Sequence, residues 1–308
     1  MQFASSTNAS TAMRRNAPSR AVLVRDMDCK SMKREHGNCN VSTTTAESWE
    51  HLQQLLFEGS WDPDLERFRS QFVFRGLDRA DYALTTSLMR MGGRYLDIEG
   101  HMIRNLRKYA SRVVVSRDSD WHWVTVGQHH GLPTRLLDWT YSPFVAMHFA
   151  TANCRHFQSD GAIWMVHMTD AMALAPPAFQ EALKSLGGYG LDLDHLPEVC
   201  DSLKSFSAAA DSPFVIFFEP PSIDERIINQ YAVFSALSDP GLSMDDWLLR
   251  PGCEGRVRYK KIVLPAKLKW EVRDKLDHAN ITERMLFPGL DGLCAWLRRY
   301  YGPKNPSQ

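Results

Sequence analysis

The chain has 308 residues, of which 44% are hydrophobic and 23% charged, and its 36 Lys and Arg balance 36 Asp and Glu. That length supports a sizeable core without disulfide or metal staples. Zero net charge excludes a global electrostatic pull toward nucleic acid or membrane, and no run approaches the roughly 18 apolar residues a membrane helix needs.

Residues 1–43 show no helical or strand period and are rich in Ser, Thr, Asn and Arg. They read as a disordered tail. The arginines at 14, 15, 20 and 25, with no acid before residue 26, also fit an organellar transit peptide. Thr44 with Glu47 resembles a capping box, opening a helix over 46–58 with Trp49, Leu52, Leu55 and Leu56 on one face. Residues 71–77 (QFVFRGL) form an aromatic and β-branched run, predicted as a strand that Gly76 ends in a tight turn.

Helices follow over 97–112 and 120–129, the second starting from an Asp120 cap and broken by Gly131-Leu132-Pro133. Ser142-Pro143 is a strong helix start, with Ser as N-cap and Pro in the first turn. The helix it opens is apolar nearly all round, so it is expected to be buried. Residues 161–168 and 213–218 are continuous apolar runs of strand length, the mark of central strands. Residues 170–210 read as a weakly patterned insertion with Pro-Pro and Gly-Gly breakers. A short helix or turn at 223–230, strands at 231–236 and 260–264, a helix at 266–278, a turn at 287–292 and a final helix at 293–301 complete the chain. The expected architecture is α+β, an irregular mixed α/β single domain over 44–301, with a mixed central sheet, a helical N-terminal part and C-terminal helices.

The cysteines at 29, 39, 154, 200, 253 and 294 are scattered, with no CxxC. This fits free thiols in a reducing compartment, and with no apolar secretory leader the expected location is the cytoplasm. Cys29, His36 and Cys39 lack a fourth ligand, so no metal is expected there. Residues 250–308 carry thirteen basic and six acidic side chains. Such an end suits either a phosphate-bearing ligand or a solvated helix face.

Phe74-Arg75-Gly76 alone means little. It is followed, in order, by Gln128-His129-His130-Gly131-Leu132-Pro133-Thr134-Arg135-Leu136-Leu137-Asp138-Trp139-Thr140, by Ser142-Pro143, by Arg226 with Gln230 and Phe234, and by Leu286-Phe287-Pro288-Gly289-Leu290-Asp291-Gly292-Leu293. Across about 70–297 this series resembles the FRG family, named for its Phe-Arg-Gly motif. Where the family has Gln-x-Gly-x-Phe, this chain has Gln230-Tyr231-Ala232-Val233-Phe234.

The block 128–140 sets polar groups between apolar anchors, as where buried polar groups converge on a ligand. Arg135 and Asp138, three apart, are close enough that they could pair directly, which would hold the Asp ionised and orient the Arg. Arg75, His130, Asp138, Glu219 and Gln230 are the candidate catalytic residues. Gln128, His129, Arg135, Thr140, Ser142 and Arg226 are the candidate ligand-binding residues. Each has a bland alternative: Arg75 bonding loop carbonyls or a buried Asp such as Asp138, the histidines satisfied in the core or at a cap, Gln128 and Gln230 capping turns, Thr140 and Ser142 capping a helix.

The order of elements is similar to that of ADP-ribosyltransferases: an early strand with a basic residue (Arg75), a hydroxyl-bearing segment leading into a buried helix (Thr140, Ser142), and a third polar position after a later strand (Glu219 or Gln230). That similarity implies NAD as substrate, with the third residue stabilising an oxocarbenium-like state. Two readings stand beside it. One is a non-enzymatic module binding a small molecule or a protein, in a defence or regulatory system. The other is a phosphodiester hydrolase using His130 and Asp138, for which the chain lacks a clear acidic metal cluster.

Overall fold

A computed structural model describes residues 42–110, 118–221 and 225–304. Among the described residues ten strands are formed: β1 (Ser42–Thr45), β2 (Trp61–Asp62), β3 (Arg67–Phe68), β4 (Phe72–Leu77), β5 (Leu136–Thr140), β6 (Gly161–His167), β7 (Leu191–Asp192), β8 (Val215–Glu219), β9 (Ala232–Leu237) and β10 (Tyr259–Leu264). β2 and β3 make a small hairpin. The other eight make one mixed sheet in the order β1-β10-β6-β4-β5-β9-β8-β7. Its inner pairs are antiparallel, and its two edge pairs, β1 with β10 and β7 with β8, are parallel. The architecture is α+β, with a mixed sheet among helices.

The main helices are α1 (Trp49–Phe57), α2 (Tyr95–Tyr109), α3 (Asp120–His129), α4 (Pro143–Ala150), α5 (Glu225–Gln230), α6 (Lys269–His278), α7 (Glu283–Leu286) and α8 (Leu290–Tyr300). Strand alternation divides the core between the two faces of the sheet. Val73, Trp164 and Val166 join one cluster, with Ile103 of α2 and Trp121, Trp123 and Val124 of α3. Phe72, Phe74, Ile163 and Met165 point the other way. They meet Leu52 and Leu56 of α1, Ala146 and Met147 of α4, and Val272 and Leu276 of α6. Each fully buried side chain of this kind contributes about 2 kcal/mol.

Most expected elements lie within a few residues of the observed ones, and the differences have local causes. Thr44 does not open a helix: β1 pairs with β10 and holds Thr44 extended opposite Ile262. The α1 cap is Ser48, whose hydroxyl accepts from the His51 amide at 3.2 Å. The expected tail lies outside the described residues through residue 41, and Ser42 and Thr43 belong to β1. The expected helix end at 112 and the start at 223 also lie outside the described residues. Ser119, not Asp120, caps α3. β5 was not anticipated as a strand. Residues 170–210 supply β7 and the buried Phe179, Leu196 and Phe206, so they belong to the main core.

Candidate functional site

The sheet has a seam. β4 is joined to β6 over six residue pairs and β5 to β9 over five, but β4 and β5 share only Phe74–Thr140. Beyond that pair the two strands splay. Arg75 fills the gap: its Nη1 donates to the backbone carbonyl of Asp138 and lies 3.8 Å from the Asp138 carboxylate. Its Nε is buried and has no hydrogen-bond partner among the described residues. Burial lowers the Arg75 guanidinium from its ordinary value, and the Asp138 charge opposes that shift.

Gly76 does not make a turn. It lies inside β4 without a positive φ. A Cβ there would sit 1.9 Å from the Ala146 carbonyl oxygen and 2.6 Å from the Ala150 nitrogen. The glycine lets α4 lie directly against the strand. The Phe-Arg-Gly motif thus has three jobs: Phe74 packs the core, Arg75 bridges the splayed strands and Gly76 admits the helix.

A cleft of about 180 Å³ opens at the seam. Its walls include Phe74, Trp139, Phe149 and Phe234. Its polar lining comes from the end of α3 (Gln128, His129), from β5 (Asp138, Thr140) and from α5 (Arg226, Gln230), together with Arg75. The Gln128 amide donates to both Asp138 carboxylate oxygens at 3.0 Å each, and its oxygen accepts from the Thr134 hydroxyl at 2.5 Å. Thr134 in turn accepts from the Leu136 amide. Asp138 is therefore held in a fixed orientation while its side chain stays 57% exposed. This is the arrangement expected of a carboxylate that meets a ligand.

Thr140 donates to the Gln230 carbonyl at 2.7 Å and accepts from the Ser142 amide. Gln230 donates through Nε2 to the Leu286 carbonyl at 3.0 Å. Arg226 lies with its guanidinium carbon 5.1 Å above the Phe287 ring. Phe287 belongs to a segment that the sequence assigns only to a turn, and the ring contact is its missed role. An aromatic residue inside a Pro-Gly turn, with arginines upstream, was the available signal.

Of the eleven candidates, Arg75, Gln128, His129, Asp138, Thr140, Arg226 and Gln230 line one cleft. Four lie elsewhere. His130 is exposed at the C-cap of α3. Ser142 caps α4, accepting from the Val145 amide at 3.3 Å. Glu219, at the end of β8, accepts from the Tyr141 hydroxyl at 2.8 Å. Burial, then the Glu219 charge, raises that hydroxyl from its ordinary value.

Arg135 does not pair with Asp138. It is 6% exposed and grips Glu99 of α2 through Nε and Nη2, with Nη1 donating to Ser207 at 2.9 Å. It stands at the bend before β5, where its guanidinium is taken up by Glu99 and Ser207 and not by Asp138.

Among the described residues no three His, Cys, Asp or Glu side chains converge as metal ligands, and no helix is long and apolar enough to cross a membrane. The family model of the FRG domain matches residues 70–159, from before β4 to the start of β6. That stretch holds five of the seven cleft candidates; Arg226 and Gln230 lie beyond it. No curated protein and no solved structure matches the chain.

Proposed function

We propose that the cleft at the β4–β5 seam recognises a small anionic molecule bearing a planar ring, in the class of adenine or nicotinamide nucleotides. The observation that carries this reading is the charge of the lining. Two guanidiniums, Arg75 and Arg226, and one carboxylate, Asp138, line the cleft together with aromatic residues, and Asp138 lies 3.8 Å from Arg75. Among the described residues no carboxylate forms an ion pair with Arg226, whose guanidinium lies over the Phe287 ring. Guanidinium in a partly enclosed apolar cleft favours phosphate or carboxylate, and the aromatic walls favour a ring.

An ADP-ribosyltransferase-like reaction on NAD is the catalytic form of the same reading. It is favoured by a carboxylate oriented in the cleft beside Arg75. Glu219 does not line that cleft, so Asp138 would be the group that stabilises the oxocarbenium-like state as the bond to nicotinamide breaks. Hydrolysis of a phosphodiester by His130 with Asp138 draws less support, because His130 does not line the cleft.

Calorimetric titration of the full chain with AMP and with NAD, followed by an assay of nicotinamide release, tests both forms. Wild type should bind. Arg226→Ala should lose about tenfold or more in affinity, the worth of one charge-assisted contact. Release abolished in Asp138→Asn, with binding retained, would support turnover. A folded wild type that binds neither compound would sink the reading.

A further inference from the structure

The Arg226 side chain does not find its position alone. Its helix, α5, is tied to the C-terminal segment by two amide side chains in succession. Asn229 donates to the Met285 carbonyl at 2.7 Å and Gln230 to the Leu286 carbonyl at 3.0 Å. The next residue, Phe287, lies beneath the Arg226 guanidinium.

The ring is itself braced. Phe149 meets it edge-on with centroids 6.2 Å apart, and His148 lies 6.3 Å away. The Phe287 amide donates to the Glu283 carbonyl at 2.8 Å. Gly289 has a φ of +103°, and a Cβ on Gly292 would sit 1.8 Å from the Phe287 carbonyl oxygen, so α8 rests on this turn. Behind it Arg299 of α8 binds both Asp277 and Glu283 and is only 6% exposed. The Phe-Pro-Gly-Leu-Asp-Gly sequence thus builds a fixed aromatic platform 61 positions along the chain from the arginine above it.

We infer that Phe287 is a positioning residue for the cleft: its ring holds the Arg226 guanidinium over the site, so the C-terminal segment sets the affinity for the anionic end of the ligand. This rests on the anion-binding reading given above. A cation over an aromatic face is held with little loss of its capacity to donate hydrogen bonds at its edge. The platform lies outside the stretch 70–159 that matches the FRG domain, so a chain with the same match and a different C-terminal segment would carry a differently tuned site.

The test uses the full chain as wild type, Phe287→Leu and Phe287→Tyr. The first readout needs no ligand: the side-chain Nε–H resonance of Arg226 in a nitrogen–proton correlation spectrum, assigned by its loss in Arg226→Lys. A ring-current shift is expected in wild type and Phe287→Tyr, and its collapse in Phe287→Leu. An unchanged resonance in Phe287→Leu overturns the positioning role.

The second readout is AMP affinity by calorimetry, with thermal unfolding as the folding control. Phe287→Leu should bind about five- to tenfold more weakly, the worth of a partly desolvated cation–π contact. Phe287→Tyr should stay within about twofold. A shifted resonance with unchanged AMP affinity overturns the affinity claim. A wild type that shows the ring-current shift but binds no AMP rejects the anion-binding reading and this affinity claim with it, while the contact itself stands.

Discussion

Gly76 is the residue whose side chain would do most damage. Its would-be Cβ meets backbone, not a movable side chain. Gly76→Ala must push α4 off the sheet, and overpacking of this kind should cost about 3 kcal/mol. A urea unfolding midpoint equal to that of wild type would refute this. The motif was visible in the sequence, but the reason for its glycine was not. A glycine at the end of an apolar run suggests a turn, and only the position of α4, some 70 residues on, shows that close approach is the constraint. Arg75 and Asp138 were legible as site residues because charged groups sat between apolar anchors. Phe287 was not, because an aromatic platform looks like any core residue until its partner is known.

At the scale of elements, α2 is joined to the bend just before β5 by the buried pair Glu99–Arg135. Glu99→Ala would leave a buried guanidinium without its carboxylate, at a cost of about 3–5 kcal/mol. Replacing both residues with apolar ones of similar volume should recover most of it. Chemical denaturation of the single and double variants measures the difference; equal losses in both would argue that packing, not charge, holds the joint. Cap and breaker residues located α3 and α4, and continuous apolar runs located β6 and β8, within a few residues. β5 escaped because Asp138 interrupts its apolar run and the sequence offered Arg135 as its partner. Arg135, at the bend before the strand, braces a helix instead, while Asp138, within the strand, lines the cleft.

At the scale of the whole molecule, a polar cluster sits between α4, α6 and the C-terminal helices. His148 is fully buried, and its Nδ1 accepts from Arg273 at 2.9 Å. Burial, with the Arg273 charge adding to it, pushes the imidazole down to about 3. For Glu283, burial works the other way, but the hydrogen bonds from Arg299 prevail and hold the carboxyl down to about 2.

Both shifts destabilise the fold in acid. Unfolded histidine takes up a proton near pH 6.5 and folded His148 does not, so stability falls as pH drops from about 6.5 toward 3, by up to about 1.4 kcal/mol per unit. The Glu283 contribution is present above about pH 4.5 and is lost as pH falls through 2. Urea unfolding between pH 7 and pH 4 should show this slope, and His148→Phe should flatten it. A slope unaltered by that substitution would assign the acid sensitivity elsewhere. None of this was legible in the sequence, where His148 is one apolar-helix residue among many and its arginine lies 125 positions away.

The parallel pairing of β1 with β10 sets a schedule for the chain as it is made. Ser42 emerges more than two hundred residues before its partner Lys260. At about 5–20 residues per second, β1 waits ten seconds or more on the ribosome with its hydrogen-bonding groups unclaimed. Its sequence, Ser-Thr-Thr-Thr, suits that wait, since hydroxyl side chains can satisfy nearby backbone groups and offer other strands little apolar surface to join. The edge of the sheet is therefore written in residues that tolerate being left open, and amide exchange on stalled nascent chains would show β1 unprotected until β10 is out.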